Sequence, residues 1–180
     1  MRVDVELRVR LKVPDVTALT ARNALQRRLG HGEALVDLER ADYWRLGLEA
    51  QDEEAALELA TELAEKTNLF VNPNKHTYRV RPLGSTAGGQ ASSGPPFRIN
   101  VLVTSPEDPE GAAACAALRG RLGYGDRVVE VACGVLWTLT VNAGSLSEAE
   151  RLAREMAITE RIDRGLLVNP HYQDVAVSPA

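Results

Sequence analysis

Two histidines stand just behind Asn-Pro pairs, in "VNPNKHTYRV" (Asn72, Pro73, His76) and in "VNPHYQDVAV" (Asn169, Pro170, His171). An amide and an imidazole held close together could position a proton or ligate a metal, and the chain offers the pair twice. The spacing argues against both. No histidine has a second one three or four residues away, and the third, His31, is matched by Tyr124 in the other half of the chain. A repeated metal or acid–base site therefore has no support, and surface or turn histidines are the expectation.

The remaining chemistry-bearing residues give the same answer. Cys115 and Cys133 lack the CxxC spacing of a metal or redox pair and sit in apolar or small-residue company, which suits buried, reduced thiols of a cytoplasmic protein. Asp52, Glu53, Glu54, Glu58, Glu62 and Glu65 lie at the start and along one side of a predicted helix, where carboxylates complement the helix dipole and keep a face wet. Glu148, Glu150 and Glu155 do the same in a later helix. "RLGHGE" and "RLGYGD" contain GxG but follow a helix and lack the third glycine of a dinucleotide loop, so they are expected to be caps and turns. Ser145 and Ser147 belong to no nucleophile elbow. Trp44 and Trp137 are not interleaved with basic residues and are expected in a core or an interface.

The elements that carry these residues come in two sets. "LQRRLGHGEALVDLERADYWRLGLEA" (Leu25 to Ala50) sets beside "LRGRLGYGDRVVEVACGVLWTLTVNA" (Leu118 to Ala143) at a constant offset of 93 without a gap, with Trp44 on Trp137, Gly30 on Gly123 and Gly32 on Gly125. After a one-residue insertion the acidic helix starts align. After three more, Asn72 and Pro73 fall on Asn169 and Pro170. Matches at Trp, Gly and Pro define an internal repeat. Between the halves, "LGSTAGGQASSGPP" (Leu83 to Pro96) carries no charge and reads as a flexible linker spanning roughly 20 Å. Residues 1–82 and 97–180 are the two expected modules.

Each module begins with an alternating strand (Val3 to Val13; Phe97 to Val103) and a helix (about Val16 to Leu29; Pro109 to Leu122) that Gly30 or Gly123 ends. Two alternating runs follow, Leu35 to Leu38 with Tyr43 to Leu48, and Val128 to Val131 with Leu136 to Val141, read as hairpins across a polar or glycine break. A second helix spans about Glu53 to Lys66 or Glu148 to Arg164, with Ser147 and Glu150 at capping-box spacing, and the Asn-Pro pair stops it before a last strand. The fold class is α+β: two tandem βαββαβ, ferredoxin-like modules, each an antiparallel sheet with helices on one face, forming a pseudo-dimer through the open faces or edge to edge.

Net charge is −4, divided as −1 over residues 1–82 and −3 over residues 97–180, with no dense basic run, so nucleic acid is not an expected partner. An apolar fraction of 44% without a stretch of about 18 apolar residues, and without an amino-terminal export signal, points to a cytoplasmic protein and not to a membrane. Arg22, Arg27 and Arg28 crowd the first helix and form either a solvated face or a docking surface.

At these residues the chain resembles the PurS subunit of phosphoribosylformylglycinamidine synthase: a helix ending in "LG", an alternating second strand, an acidic-start helix, and a closing "NP" before the last strand. The resemblance recurs from "GRLGYGDRVVEVACGVLWTLTV" through "LLVNPHYQDVAV". It implies a non-catalytic accessory subunit without an active site or a directly bound cofactor, ATP and Mg belonging to the partner. The implied partners are the large synthetase subunit and the glutaminase subunit, which PurS bridges so that ammonia reaches the synthetase. Two PurS copies serve each pair of catalytic subunits in that family, which a tandem chain would supply at once, alone or as a homodimer of tandem chains. Asn72, Pro73, Asn169, Pro170, Trp44, Trp137, Arg27 and Arg28 are the motif and interface candidates. The chain departs from the family at "ERADYW" and "ACGVLW", and keeps the acidic turn after Asn-Pro only through Asp174. A tandem regulatory module binding a small metabolite between its copies is the competing expectation.

Overall fold

The computed structural model describes residues 1–85, 94–159 and 165–180. Most of the expected linker lies outside the described residues, as do residues 160–164. In chain order the elements are β1 (Arg2–Leu11), α1 (Val16–Arg27), β2 (Leu35–Glu49), α2 (Glu53–Lys66), β3 (His76–Pro82), β4 (Phe97–Thr104), α3 (Pro109–Arg119), β5 (Val128–Val141), α4 (Leu146–Ala157) and β6 (Asp174–Pro179). The six strands hydrogen-bond in the order β3-β1-β2-β5-β4-β6 in an antiparallel sheet.

The expected hairpins are absent. β2 and β5 are each one continuous strand of 15 and 14 residues. The stretch read as a polar break, Glu39 to Asp42, consists of strand residues whose side chains are held laterally: Arg98 donates to Glu39 at 2.5 Å, and Arg40 lies 3.5 Å from Asp15. Polar residues on a strand's solvent side resemble a turn in sequence, but neither break contains the Asn-Gly or Asp-Gly pair that a two-residue hairpin favours.

A 15-residue strand is about 50 Å long, more than twice the usual length, and it can serve two cores. The chain does divide into two compact units, and they do not follow the two halves of the sequence. Unit 1 comprises Met1–Val13, Ala41–Ser85 and Glu107–Gly134; unit 2 comprises Pro14–Arg40, the described part of residues 86–106, and Val135–Ala180. Each holds four strand segments and two helices, the complement expected of a ferredoxin-like module, yet each draws on both halves.

In unit 1, Val5, Leu7 and Val9 of β1 and Trp44, Leu46 and Leu48 of β2 share a core with Leu59 and Leu63 of α2 and with Ala114 and Leu118 of α3. The strand register explains the shared face, since Leu7 stands opposite Trp44 and Val5 opposite Leu46. Trp44 meets Phe70 edge-on at 4.8 Å between ring centroids. In unit 2, Ala18, Ala21 and Leu25 of α1 join Ile99 and Val101 of β4, Trp137 and Leu139 of β5, and Met156 of α4. The first helix of each half thus packs in the unit that holds the first strand of the other half.

Helix ends account for further differences from the expected boundaries. α4 starts two residues early: Ser145 Oγ accepts from Glu148 N at 3.2 Å while Glu148 Oε2 accepts from Gly144 N at 2.8 Å, so the capping pair is Ser145 and Glu148. Ser145 stands 93 residues beyond Asp52, the α2 cap, which accepts from Ala55 N at 2.8 Å. The offset therefore holds through both helix starts, and all four extra residues come later. The prolines stop neither helix. α2 ends at Lys66, with Asn68 in the left-handed region at φ 54°, well before Pro73. α4 ends at Ala157, where Ile158 turns extended and Leu167 N and Val168 N donate to Ala157 O at 2.9 and 2.8 Å.

Candidate functional site

The two Asn-Pro segments are turns built to one plan. In unit 1, Asn72 O accepts from Lys75 N and His76 N, Asn72 Oδ1 accepts from Asn74 N at 3.0 Å, and Asn72 N donates to Nδ1 of His76 at 3.1 Å. In unit 2, Asn169 O accepts from Tyr172 N and Gln173 N, Asn169 Oδ1 accepts from His171 N at 3.1 Å, and Asn169 N donates to Oε1 of Gln173 at 3.0 Å. The asparagine side chain closes its own turn. The residue four positions on supplies an acceptor, imidazole in one case and amide in the other. His76 is thereby committed to the turn, and its counterpart at Gln173 has no acid–base chemistry. His171 contributes its backbone N–H to the turn, and its ring contacts Tyr172 at 6.5 Å between centroids.

His31 follows Gly30, whose φ of 77° provides the left-handed residue that ends α1; Gly123, at 76°, does the same for α3. His31 N donates to Leu25 O and Tyr124 N to Leu118 O, each at 3.0 Å. The expectation of a surface or turn histidine holds only for the turn, because His31 is 6% exposed.

Asp15, Asp52 and Asp108 are each committed to a helix cap. Asp15 Oδ1 accepts from Thr17 N and Ala18 N. Asp108 Oδ1 accepts from Gly111 N at 2.7 Å, and Asp108 Oδ2 accepts from Cys133 N at 2.7 Å, tying the start of α3 to β5. Burial alone would raise the Asp108 pKa, but these N–H donors and the Cys133 thiol outweigh it and hold the carboxyl below its ordinary value. The thiol donates to Asp108 Oδ1 at 3.1 Å. Burial and that carboxylate push Cys133 up to about 12, the reverse of what a nucleophile needs. The equivalent of Cys133 is Arg40, facing Asp15, so the two caps are secured by different chemistry.

Along α2, Glu65 Oε1 accepts from Tyr78 OH at 2.7 Å, which raises the phenol to about 12, and Glu62 Oε1 accepts from Tyr124 OH at 3.3 Å. Glu130 on β5 accepts from Arg2 at 2.5 Å and from Arg45 at 2.6 Å. The Arg2 hydrogen bond, more than Arg45, draws its pKa below the ordinary carboxylate range against the opposing effect of burial. Among the described residues no group of three or more His, Cys, Asp or Glu could hold a metal ion, and no helix is long and apolar enough to cross a membrane.

The interface candidates are dispersed. Asn72, Pro73, Asn169 and Pro170 are exposed. Trp44 and Trp137 are 8% and 7% exposed and belong to the cores. Arg27 and Arg28 are exposed at the end of α1, where cations suit the helix dipole, while Arg22 is paired with Asp37 at 2.9 Å.

The family model for PurS, phosphoribosylformylglycinamidine (FGAM) synthase, matches residues 2–83. Residues 2–83 are similar to PurS. No curated protein matches the chain. The PurS match takes in β1, α1, β2, α2 and β3, including the turn at Asn72, and supports a role in FGAM synthase and purine biosynthesis.

Proposed function

We propose that this chain is a non-catalytic accessory subunit of FGAM synthase, bridging the large synthetase subunit and the glutaminase subunit during formation of formylglycinamidine ribonucleotide from formylglycinamide ribonucleotide, glutamine and ATP. The PurS match over residues 2–83 carries this reading. The commitments of the chemistry-bearing side chains support it: His76 completes a turn, Asp108 caps a helix, and the Cys133 thiol is pushed up to about 12. ATP and Mg bind the synthetase partner, and the complex works in the cytoplasm.

Residues 97–180 act in this reading as a second PurS-like module, with residues 83–96 as the linker. The repeated devices support it, with left-handed Gly30 and Gly123 ending helices and Asn72 and Asn169 closing turns in the same way. One tandem chain then supplies both PurS copies needed by a synthetase–glutaminase pair. Size-exclusion chromatography of the chain with both subunits, in glutamine and Mg-ADP, tests this. Co-elution with one tandem chain per synthetase is expected; separate elution, or two tandem chains per synthetase, counts against it.

A further inference from the structure

The face of the unit 1 sheet that turns away from the core carries charge, only part of which is paired within the chain. Val5, Leu7 and Val9 point into the core, so Glu6 and Arg8 point to the opposite face. In the register, Arg8 stands directly across from Arg79 of β3, and Glu6 across from Arg81. Directly opposed like charges destabilise a strand pair. Arg8 also lies 2.8 Å from Glu6 Oε1, but Arg8 Nε and Glu6 Oε1 are buried without an aligned hydrogen bond. Neither the Arg79 nor the Arg81 side chain has an ion pair or hydrogen bond among the described residues, and Arg79 is exposed.

Unit 2 shows that the same strand geometry does without these charges. There Leu102 stands across from Ala176 and Asn100 across from Ser178, the positions that match Arg8 with Arg79 and Glu6 with Arg81. Asn100 is satisfied by Thr138, whose Oγ1 donates to Asn100 Oδ1 at 2.9 Å. Arg79, which faces an arginine already paired with Glu6 and has no carboxylate partner of its own among the described residues, calls for an anion from outside the chain.

We infer that Arg8, Arg79 and Arg81 form a docking surface for an acidic protein segment, a role that the uncharged residues at the matching positions of unit 2 do not share. A pleated sheet face presents its side chains as a flat array, which suits carboxylates offered by another protein surface. A chain of net charge −4 without a basic run is a poor match for nucleic acid. The inference rests on the bridging reading for the identity of the partner and gives that partner its chemistry. It also separates the two copies, since only one of them meets the acidic surface.

Poly-L-glutamate titrated into the 15N-labelled full chain at about 50 mM salt tests the surface itself. Resonances of Arg8, Arg79 and Arg81 are expected to shift while those of Leu102, Ala176 and Ser178 do not, with the response lost in Arg79→Glu/Arg81→Glu. A thermal melt of that variant checks folding, and Arg79→Ala/Arg81→Ala serves as a milder second variant. No shift at these arginines, equal shifts on both faces, or tighter binding of polyuridylate there would overturn the inference. A second arm measures affinity for the separate synthetase and glutaminase subunits, where the double Glu variant is expected to lose about tenfold or more towards one of them. Subunit binding that is unchanged in the variant sinks the docking surface and leaves the bridging role standing. Polyglutamate binding without any subunit binding supports the surface and sinks the bridging role.

Discussion

His76 accepts the backbone N–H of Asn72 at its Nδ1, 3.1 Å away. Gln173 does the same work for Asn169 through its side-chain carbonyl at 3.0 Å. The shared requirement is an acceptor at a fixed reach, and imidazole is one way to supply it. His76→Gln should therefore leave stability within about 0.5 kcal/mol, whereas His76→Ala should cost about 1 kcal/mol, the typical net value of one hydrogen bond. Urea denaturation of the three proteins checks both. A neutral His76→Ala that nonetheless abolished complex formation would give the ring a role beyond the turn.

Gly111 is the residue that lets the Asp108 carboxylate reach β5. A Cβ at this position would collide with Asp108 Oδ2 and lie 2.6 Å from Val131 O. The matching residue in α1 is an ordinary buried alanine, Ala18. Gly111→Ala is expected to destabilise the chain by about 2 kcal/mol, by forcing apart the α3 cap and the strand it rests on. A shift in the denaturation midpoint measures it; an unchanged midpoint would mean that the cap is not held as described.

Cys133 should be nearly inert at neutral pH. With its thiol near 12 instead of 9.0, the thiolate fraction at pH 8 falls about a thousandfold, and alkylation by iodoacetamide should slow accordingly. Asp108→Asn keeps an acceptor for the cap but removes the charge, so it should speed Cys133 alkylation. Mass spectrometry of timed samples reads both rates, and fast labelling of Cys133 in the unaltered protein would contradict the geometry.

Tyr78 gives the chain an alkaline limit. Its phenol is raised from 10.0 to about 12, chiefly by its hydrogen bond to Glu65 and secondarily by burial. The folded state thus favours the neutral form. That contribution is fully present below pH 10 and is lost as pH rises through about 12. Tyr78→Phe should be the less stable protein at pH 8, and the difference should shrink between pH 10 and 12 in a denaturation series. A constant difference over that range would rule out the hydrogen bond as its source.

Local devices were legible in the sequence where their cause is local. The alternation of Val3, Val5, Leu7 and Val9, the Asp108 cap with Pro109, and the left-handed Gly30 and Gly123 all depend on a few adjacent residues. The continuous β2 was not legible, because Glu39, Arg40 and Asp42 are polar for a sheet's solvent side and resemble a turn. Nor was the exchange of α1 and α3 between units, since Ala18, Ala21 and Leu25 form the same apolar stripe whichever strands they cover. The opposed arginines Arg8 and Arg79 become neighbours only through the register of β1 with β3.

The most direct measurement of the central claim is FGAM formation by the synthetase and glutaminase with and without this chain, using either glutamine or free ammonia as the nitrogen source. The account predicts that glutamine-driven synthesis requires the chain, saturating at one tandem chain per synthetase, while synthesis from ammonia does not. Glutamine-driven synthesis that proceeds equally well in its absence would contradict the account.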